Sequence, residues 1–276
     1  MSHGIHTGLN RDTIDKYYTI ESTVNICINL IKKTLPIQKN DLCIEPSAGN
    51  GAFIESIESL SDHSLFYDIQ PEAEKIVKQD YLTFDYKTHI SSDIHNIHII
   101  GNPPFGRQST CAIKFIKHSV KFCHSISFIL PKSFKKDSMK RHFPLFYHLE
   151  CEVDIPAYSF NINNNKHDVP CVFQIWIKKD TPRYIPLKLV PKNYIFVKKD
   201  EDPHISFRRV GIYAGKIDIE TQTKSPQSHY FIKFNSPLTE DVYNKLETLD
   251  YDCKNNTVGP KSISKQELIK EFNKIF

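Results

Sequence analysis

A chain of 276 residues, 39% hydrophobic and 25% charged, carries enough apolar material for a full core and enough charge for a solvated surface. That balance excludes a disordered segment and a collagen-like repeat. It contains no run of about 18 apolar residues and no basic-then-apolar leader, so neither a membrane partner nor secretion is expected. The seven cysteines are odd in number and scattered, and none forms a CxxC pair. A reducing compartment, cytoplasmic or nucleoid/nuclear, follows, with no metal site and no disulfide framework.

The net charge of +4 hides a strong internal pattern. Residues 41–100 hold 11 acidic side chains against 3 lysines, whereas residues 107–142 hold 9 Lys or Arg against Asp137 alone. A polyanionic partner, nucleic acid, is expected along the second stretch, with Arg107, Lys132, Lys135 and Lys136 as its candidate contacts.

In chain order, residues 1–15 are polar and lack periodicity, and a flexible N-terminus is expected there. A helix follows over 24–31, with Ser22 as its cap and Val24, Ile28 and Ile31 on one face. Residues 41–46 form a short buried strand. A small-residue loop, Ser47 to Phe53, then passes into a helix over 53–60. Strand, loop and helix make the first unit of a nucleotide-binding, Rossmann-like α/β sheet. Gly49 and Gly51 let the backbone approach a ligand where a Cβ would clash. The second strand, 64–69, ends at Asp68 and Ile69. Asp68 lies about twenty residues beyond the glycine loop, the spacing of an acid that accepts from ribose hydroxyls. Residues 70–78 read as helical, with Pro71 in the first turn. Asp80, followed by Tyr81, can accept from an adenine amino group.

The apolar run 97–101 stops at Asn102-Pro103-Pro104-Phe105-Gly106. Two prolines make a stiff corner, and the carboxyl edge of an open α/β sheet is where ligands sit. There the Asn102 side-chain carbonyl and the Pro103 backbone carbonyl can each accept a hydrogen from a planar amino group, and Phe105 can stack on its ring. Ala112, Phe115, Ile116, Val120 and Cys123 share one face of an amphipathic crossover helix. Further strands are expected at 125–131, 153–156 and 171–177, with a polar, aromatic-bearing loop at 158–165 in which Phe160 opposes Phe105. Pro182, Pro186 and Pro191 mark a boundary at 180–192. The remaining residues carry short β-like runs (194–197, 205–213, 230–234) and a final helix behind the cap Ser264. They read as a small α+β extension and a candidate substrate-recognition module.

These motifs resemble the class I S-adenosylmethionine-dependent adenine-N6 methyltransferases, in the motif order of the gamma group of DNA-modifying enzymes. Tyr18-Thr19 resembles the element before the first helix, Glu45-Pro46-Ser47-Ala48-Gly49-Asn50-Gly51-Ala52-Phe53 the cofactor loop, and Asn102-Pro103-Pro104-Phe105 the catalytic tetrapeptide. The resemblance covers residues 16–180 and implies S-adenosyl-L-methionine as cofactor. It implies Tyr18, Thr19, Glu45, Pro46, Ser47, Gly49, Gly51, Phe53, Asp68, Ile69, Asp80, Tyr81 and Asn102 around that cofactor. Asn102, Pro103, Pro104 and Phe105 are implied at the reacting amine, and Phe105, Gly106 and Phe160 at the base. The implied reaction is methylation of adenine N6, in DNA first. Methylation of RNA, at adenine N6 or guanine N2, and an idle nucleic-acid-binding subunit are the competing readings.

Overall fold

The computed structural model describes residues 16–88, 94–162 and 165–276; the expectation for residues 1–15 lies outside the described residues. The chain divides between Tyr184 and Ile185 into two units. In the first, the elements in order are β1 (Tyr18–Thr19), α1 (Glu21–Thr34), β2 (Leu42–Glu45), α2 (Ile54–Glu58), β3 (His63–Asp68), β4 (Val77–Lys78), β5 (Ile97–Gly101), α3 (Thr110–Ser119), β6 (Ser125–Pro131), α4 (Asp137–Lys140), β7 (Tyr147–Asp154), β8 (Phe160–Ile162), β9 (Asn165–His167) and β10 (Cys171–Lys178).

Seven strands form one sheet in the order β4-β3-β2-β5-β6-β10-β7. The first five are mutually parallel, and β10 runs antiparallel to both β6 and β7. β2, β5 and β6 are buried at every position, which is why they read as continuous apolar runs and not as alternating ones. This is the expected Rossmann-like, mostly parallel architecture. From β2 the chain moves outward through β3 and β4, then returns to β5 on the other side of β2. The carboxyl ends of β2 and β5, at Glu45 and Gly101, therefore flank the topological switch point.

Local expectations fail in three places, each for a physical reason. Ser22 does not cap α1. Ile20 occupies the cap position with extended backbone, and its carbonyl accepts from Thr23 and Val24. Pairing of Tyr18 and Thr19 with β8, plus the Ile20 N–H to Ser159 O bond, keeps the chain extended up to the helix. Residues 70–78 are not helical. Asp68 takes the Gln70 N–H and the Gly49 carbonyl takes the Glu72 N–H, so the donors that would open a helix are engaged elsewhere. Val77–Lys78 instead adds an edge strand to β3. The expected loop at 158–165 contains β8, the centre of a three-stranded sheet ordered β1-β8-β9.

In the second unit, β11 (Tyr194–Val197), β12 (Ile205–Arg208), β13 (Ile217–Asp218) and β14 (His229–Phe234) form an antiparallel sheet ordered β11-β14-β12-β13. Its Tyr194, Ile205, Phe207, Ile232 and Phe234 join a core with Leu246 of α5 (Glu240–Glu247) and Leu268 and Phe272 of α6 (Lys265–Phe272). Ser264 caps α6 in a capping box with Glu267. Thr239 caps α5, a helix absent from the sequence reading.

At the amino ends of the parallel strands, a buried polar chain staples the sheet. The Asp41 carboxylate accepts from His98 Nε2 at 3.2 Å, and His98 Nδ1 lies 2.7 Å from Ser125 Oγ. With Nε2 donating, Nδ1 accepts the serine proton. Asp41 also takes the Gln38 and Asn96 backbone N–H groups. The array has the composition of a hydrolytic triad, yet Ser125 is wholly buried and lies at the edge opposite the switch point. Its role is structural.

Burial holds the His98 imidazole below its ordinary pKa of 6.5. As pH falls, the unfolded chain therefore takes up this proton first, and the stabilisation present above pH 6.5 is lost below it. His98→Gln is expected to cost about 2 kcal/mol at pH 8 by leaving buried polar groups poorly paired. The gap to wild type should narrow at pH 5.5 in urea unfolding, and a gap independent of pH would refute this account.

Candidate active site

A cavity of about 300 Å3 opens at the switch point. Its walls come from the 16–19 strip, the loop after β2, the loops after β3 and β4, and the corner after β5. Tyr18, Thr19, Glu45, Pro46, Ser47, Gly49, Phe53, Asp68, Ile69, Asp80, Tyr81, Asn102 and Pro104 all line it. Gly51 stands back in its loop, donating to the Ala48 carbonyl at 2.7 Å. Lys16, Tyr17, Gln70, Glu72, Cys111 and Phe115 also line the cavity, and sequence reasoning missed them as site residues. The 3.6-residue spacing of Phe115 marked it as core, which it also is.

Asn102 is held by the strip opposite. Its Nδ2 donates to the Tyr17 carbonyl at 3.1 Å and to Thr19 Oγ1 at 3.3 Å. A backbone carbonyl only accepts, so the amide cannot be reversed, and Oδ1 is fixed on the other side. Oδ1 is buried and has no hydrogen-bond partner among the described residues. A buried acceptor left open in this way costs stability and calls for a ligand donor. Ser47 Oγ donates to the Asn102 backbone carbonyl at 3.2 Å, which ties the corner to the glycine loop.

Glu45 is the second open group. Its side chain is 2% exposed, and Oε2 has no partner among the described residues. Burial pushes its carboxyl well above the usual range, and the nearby Asp68 charge adds to the shift. A carboxyl so placed suits a cationic donor arriving with a ligand. Gly101 makes room for it: a Cβ there would lie 3.1 Å from Glu45 Cγ, and φ is +147°. Asp68 is tied to the loop, accepting from Gly49 N–H at 2.8 Å and Gln70 N–H at 2.7 Å. A Cβ at Gly49, where φ is +53°, would meet the Tyr18 ring at 3.2 Å. Asp80 caps a short turn by accepting from Leu82 N–H at 2.9 Å. Tyr81 anchors that turn in the core through Ser119 Oγ, 2.8 Å from its hydroxyl.

A clasp joins three of the cavity-lining residues. Both Tyr18 OH and Lys16 Nζ donate to Glu72 Oε1, the latter at 2.7 Å, across more than fifty residues of chain.

The expected base sandwich is not formed. Phe160 is fully buried and meets Tyr17 edge-on at 6.3 Å, because β8 pairs with Thr19 and turns the ring inward. Phe105 is 6% exposed; its carbonyl accepts from Cys111 and Ala112, which draws it beneath the start of α3. Neither ring lines the cavity, nor do Pro103, Gly106, Arg107, Lys132, Lys135 or Lys136. Lys132 and Lys135 both pair with Asp154, at 3.2 and 3.0 Å, and Lys140 pairs with Glu152 at 3.0 Å. The strongly basic stretch is thus partly neutralised by carboxylates of β7, distant in sequence.

No protein-family model and no curated protein matches the chain. Among solved structures, a putative class I S-adenosylmethionine-dependent methyltransferase from Listeria monocytogenes is 16% identical, with a TM-score of 0.47 over 67% of this chain and 65% of that one. A putative RNA methyltransferase from Pyrococcus horikoshii is 13% identical, TM-score 0.46, over 60% and 87%. A modification subunit of a putative type I restriction enzyme from Vibrio vulnificus is 12% identical, TM-score 0.44, over 59% and 44%. The chain thus spans less than half of the Vibrio subunit. All three likenesses are distant.

Above its ordinary value of 4.5, Glu45 keeps a proton in the fold that the unfolded chain releases, so its burial penalises folding increasingly as pH rises. Glu45→Gln should therefore raise the thermal midpoint of the ligand-free protein by several degrees at pH 8, with the gain vanishing at about pH 4.5. A lower midpoint at pH 8 would show that the carboxyl is paired.

Proposed function

We propose that the protein is a methyltransferase that moves a methyl group from S-adenosyl-L-methionine to the exocyclic amine of a nucleic-acid base, adenine N6 of DNA being the first candidate. The observation that carries this reading is the orphaned Asn102 Oδ1, locked in orientation at the end of β5, in the same cavity as the orphaned Glu45 carboxyl.

The donor set fits the cofactor. Glu45 suits its ammonium group, the turn at Gly49 admits its backbone-contacting portion, and Asp68 and Asp80 offer acceptors for ribose hydroxyls and the adenine amine. When bound, S-adenosyl-L-methionine supplies an electrophilic methyl group. The protein's own part is alignment and polarisation. Asn102 Oδ1 accepts one hydrogen of the amine, which orients the nitrogen toward the methyl donor. Pro103 and Pro104 keep that acceptor stiff. A base held in a duplex has to be flipped out first, at a cost of a few kcal/mol.

The same acceptor fits the amines of RNA bases. Tritium transfer from labelled cofactor to DNA, RNA and protein pools, followed by nucleoside analysis, decides the substrate. Asn102→Ala should lower transfer about a hundredfold or more while cofactor affinity stays within about twofold. Full activity in this variant refutes the mechanism. Thr19→Val removes one of the two acceptors that orient the amide. It should lower kcat about tenfold and leave KM for the nucleic acid unchanged; a change in KM alone would assign Thr19 to binding.

A further inference from the structure

A second cavity, about 420 Å3, lies wholly within the C-terminal unit, between the end of β11, the turn after it, β14 and the start of α6. Phe196 and Tyr230 stand on the sheet face that packs beneath the helices, where Tyr194 and Ile232 are buried, yet both are half-exposed at its rim. Their rings meet edge-on at 5.8 Å. The Lys265 ammonium sits 4.5 Å from the Phe196 ring centre and 5.7 Å from that of Tyr230, and the Arg209 guanidinium lies 5.5 Å from the latter. Lys198 and Lys199 line the same cavity, together with one acid, Asp200.

Elsewhere in this unit, among the described residues, Lys224, Lys233, Lys245, Lys254 and Lys274 are ion-paired and five other lysines are not, so what sets this cluster apart is its cations' position over aromatic rings. Lys198, Lys199, Arg209 and Lys265 have no such pair among the described residues. Arg209 and Lys265, held over half-buried aromatic rings and not answered by protein carboxylates, call for a ligand that is both anionic and flat. A nucleotide unit has both properties, and its base face is free only when the strand is unpaired.

We infer that this cavity binds an unpaired segment of a nucleic-acid strand, with phosphates on Lys198, Lys199 and Lys265 and a base against Tyr230 and Phe196. The inference rests on the nucleic-acid reading of the first cavity and deepens it. Three of the basic residues beyond the Asn102 corner are engaged by β7, and this cluster adds phosphate contacts to those that remain.

The test uses the full chain with fluorescein-labelled oligodeoxythymidylate, oligoribouridylate and a DNA duplex, read by anisotropy across a potassium chloride series. Both single strands should bind more tightly than the duplex, and the tighter of the two identifies the natural strand. The combined variant Lys198→Glu, Lys199→Glu, Lys265→Glu should lose at least about tenfold in affinity and reduce the salt slope by about two to three. Tyr230→Leu, which keeps the apolar packing, should weaken binding about five- to tenfold with the slope unchanged. Circular dichroism and the thermal midpoint verify that each variant is folded. Wild-type affinity in either variant, tighter binding of the duplex, or equal competition by polyglutamate overturns the inference. Loss of methyl transfer in Asn102→Ala, with the charge-reversed variant binding like wild type, upholds the catalytic reading and defeats this one. Activity retained in Asn102→Ala, with binding lost in the charge-reversed variant, does the reverse.

Discussion

The geometry of the first unit depends on two hydrogen bonds from the Asn102 amide nitrogen to the 16–19 strip. A free asparagine samples several rotamers and both amide orientations. Here a backbone carbonyl and a threonine hydroxyl take the nitrogen, so the oxygen has one direction. Everything nearby supports that arrangement: prolines at the next two positions, Ser47 on the asparagine carbonyl, and the pairing of Thr19 with β8 that keeps its hydroxyl in place. The fold leaves this acceptor unsatisfied at a cost of roughly 1–3 kcal/mol. Such a defect is tolerated where a ligand repairs it.

Electrostatics divide the unit in the same sense. The cavity gathers carboxyl groups, and burial disfavours the charge of one of them, Glu45, whereas lysines gather beyond the corner. A cationic cofactor is suited to the first region and a polyanion to the second. The surface lysines carry less weight than their number suggests, because Asp154 and Glu152 answer three of them.

The sheet was legible because parallel strands buried on both faces write themselves as apolar runs, and because Gly49 and Gly51 follow the first of these. Cavity-lining positions such as Glu45, Ser47, Asp68 and Ile69 were legible for the same reason: they sit at strand ends fixed by topology. What escaped was set by partners far along the chain. Residues 70–78 carry helix-forming side chains, yet Asp68 and Gly49 capture their backbone groups. Phe160 looked like a base-stacking aromatic within a polar loop, but strand pairing with Thr19 turned it into core. Lys16, Tyr17 and Glu72 carry no motif, and only the fold brings them to one cavity.

The 16–19 strip serves at once as wall, clasp and amide support. Through it Glu72, Asn102 and Phe160, widely separated along the chain, are knotted at a single place. The site is therefore a product of the finished tertiary structure and belongs to no single stretch of sequence.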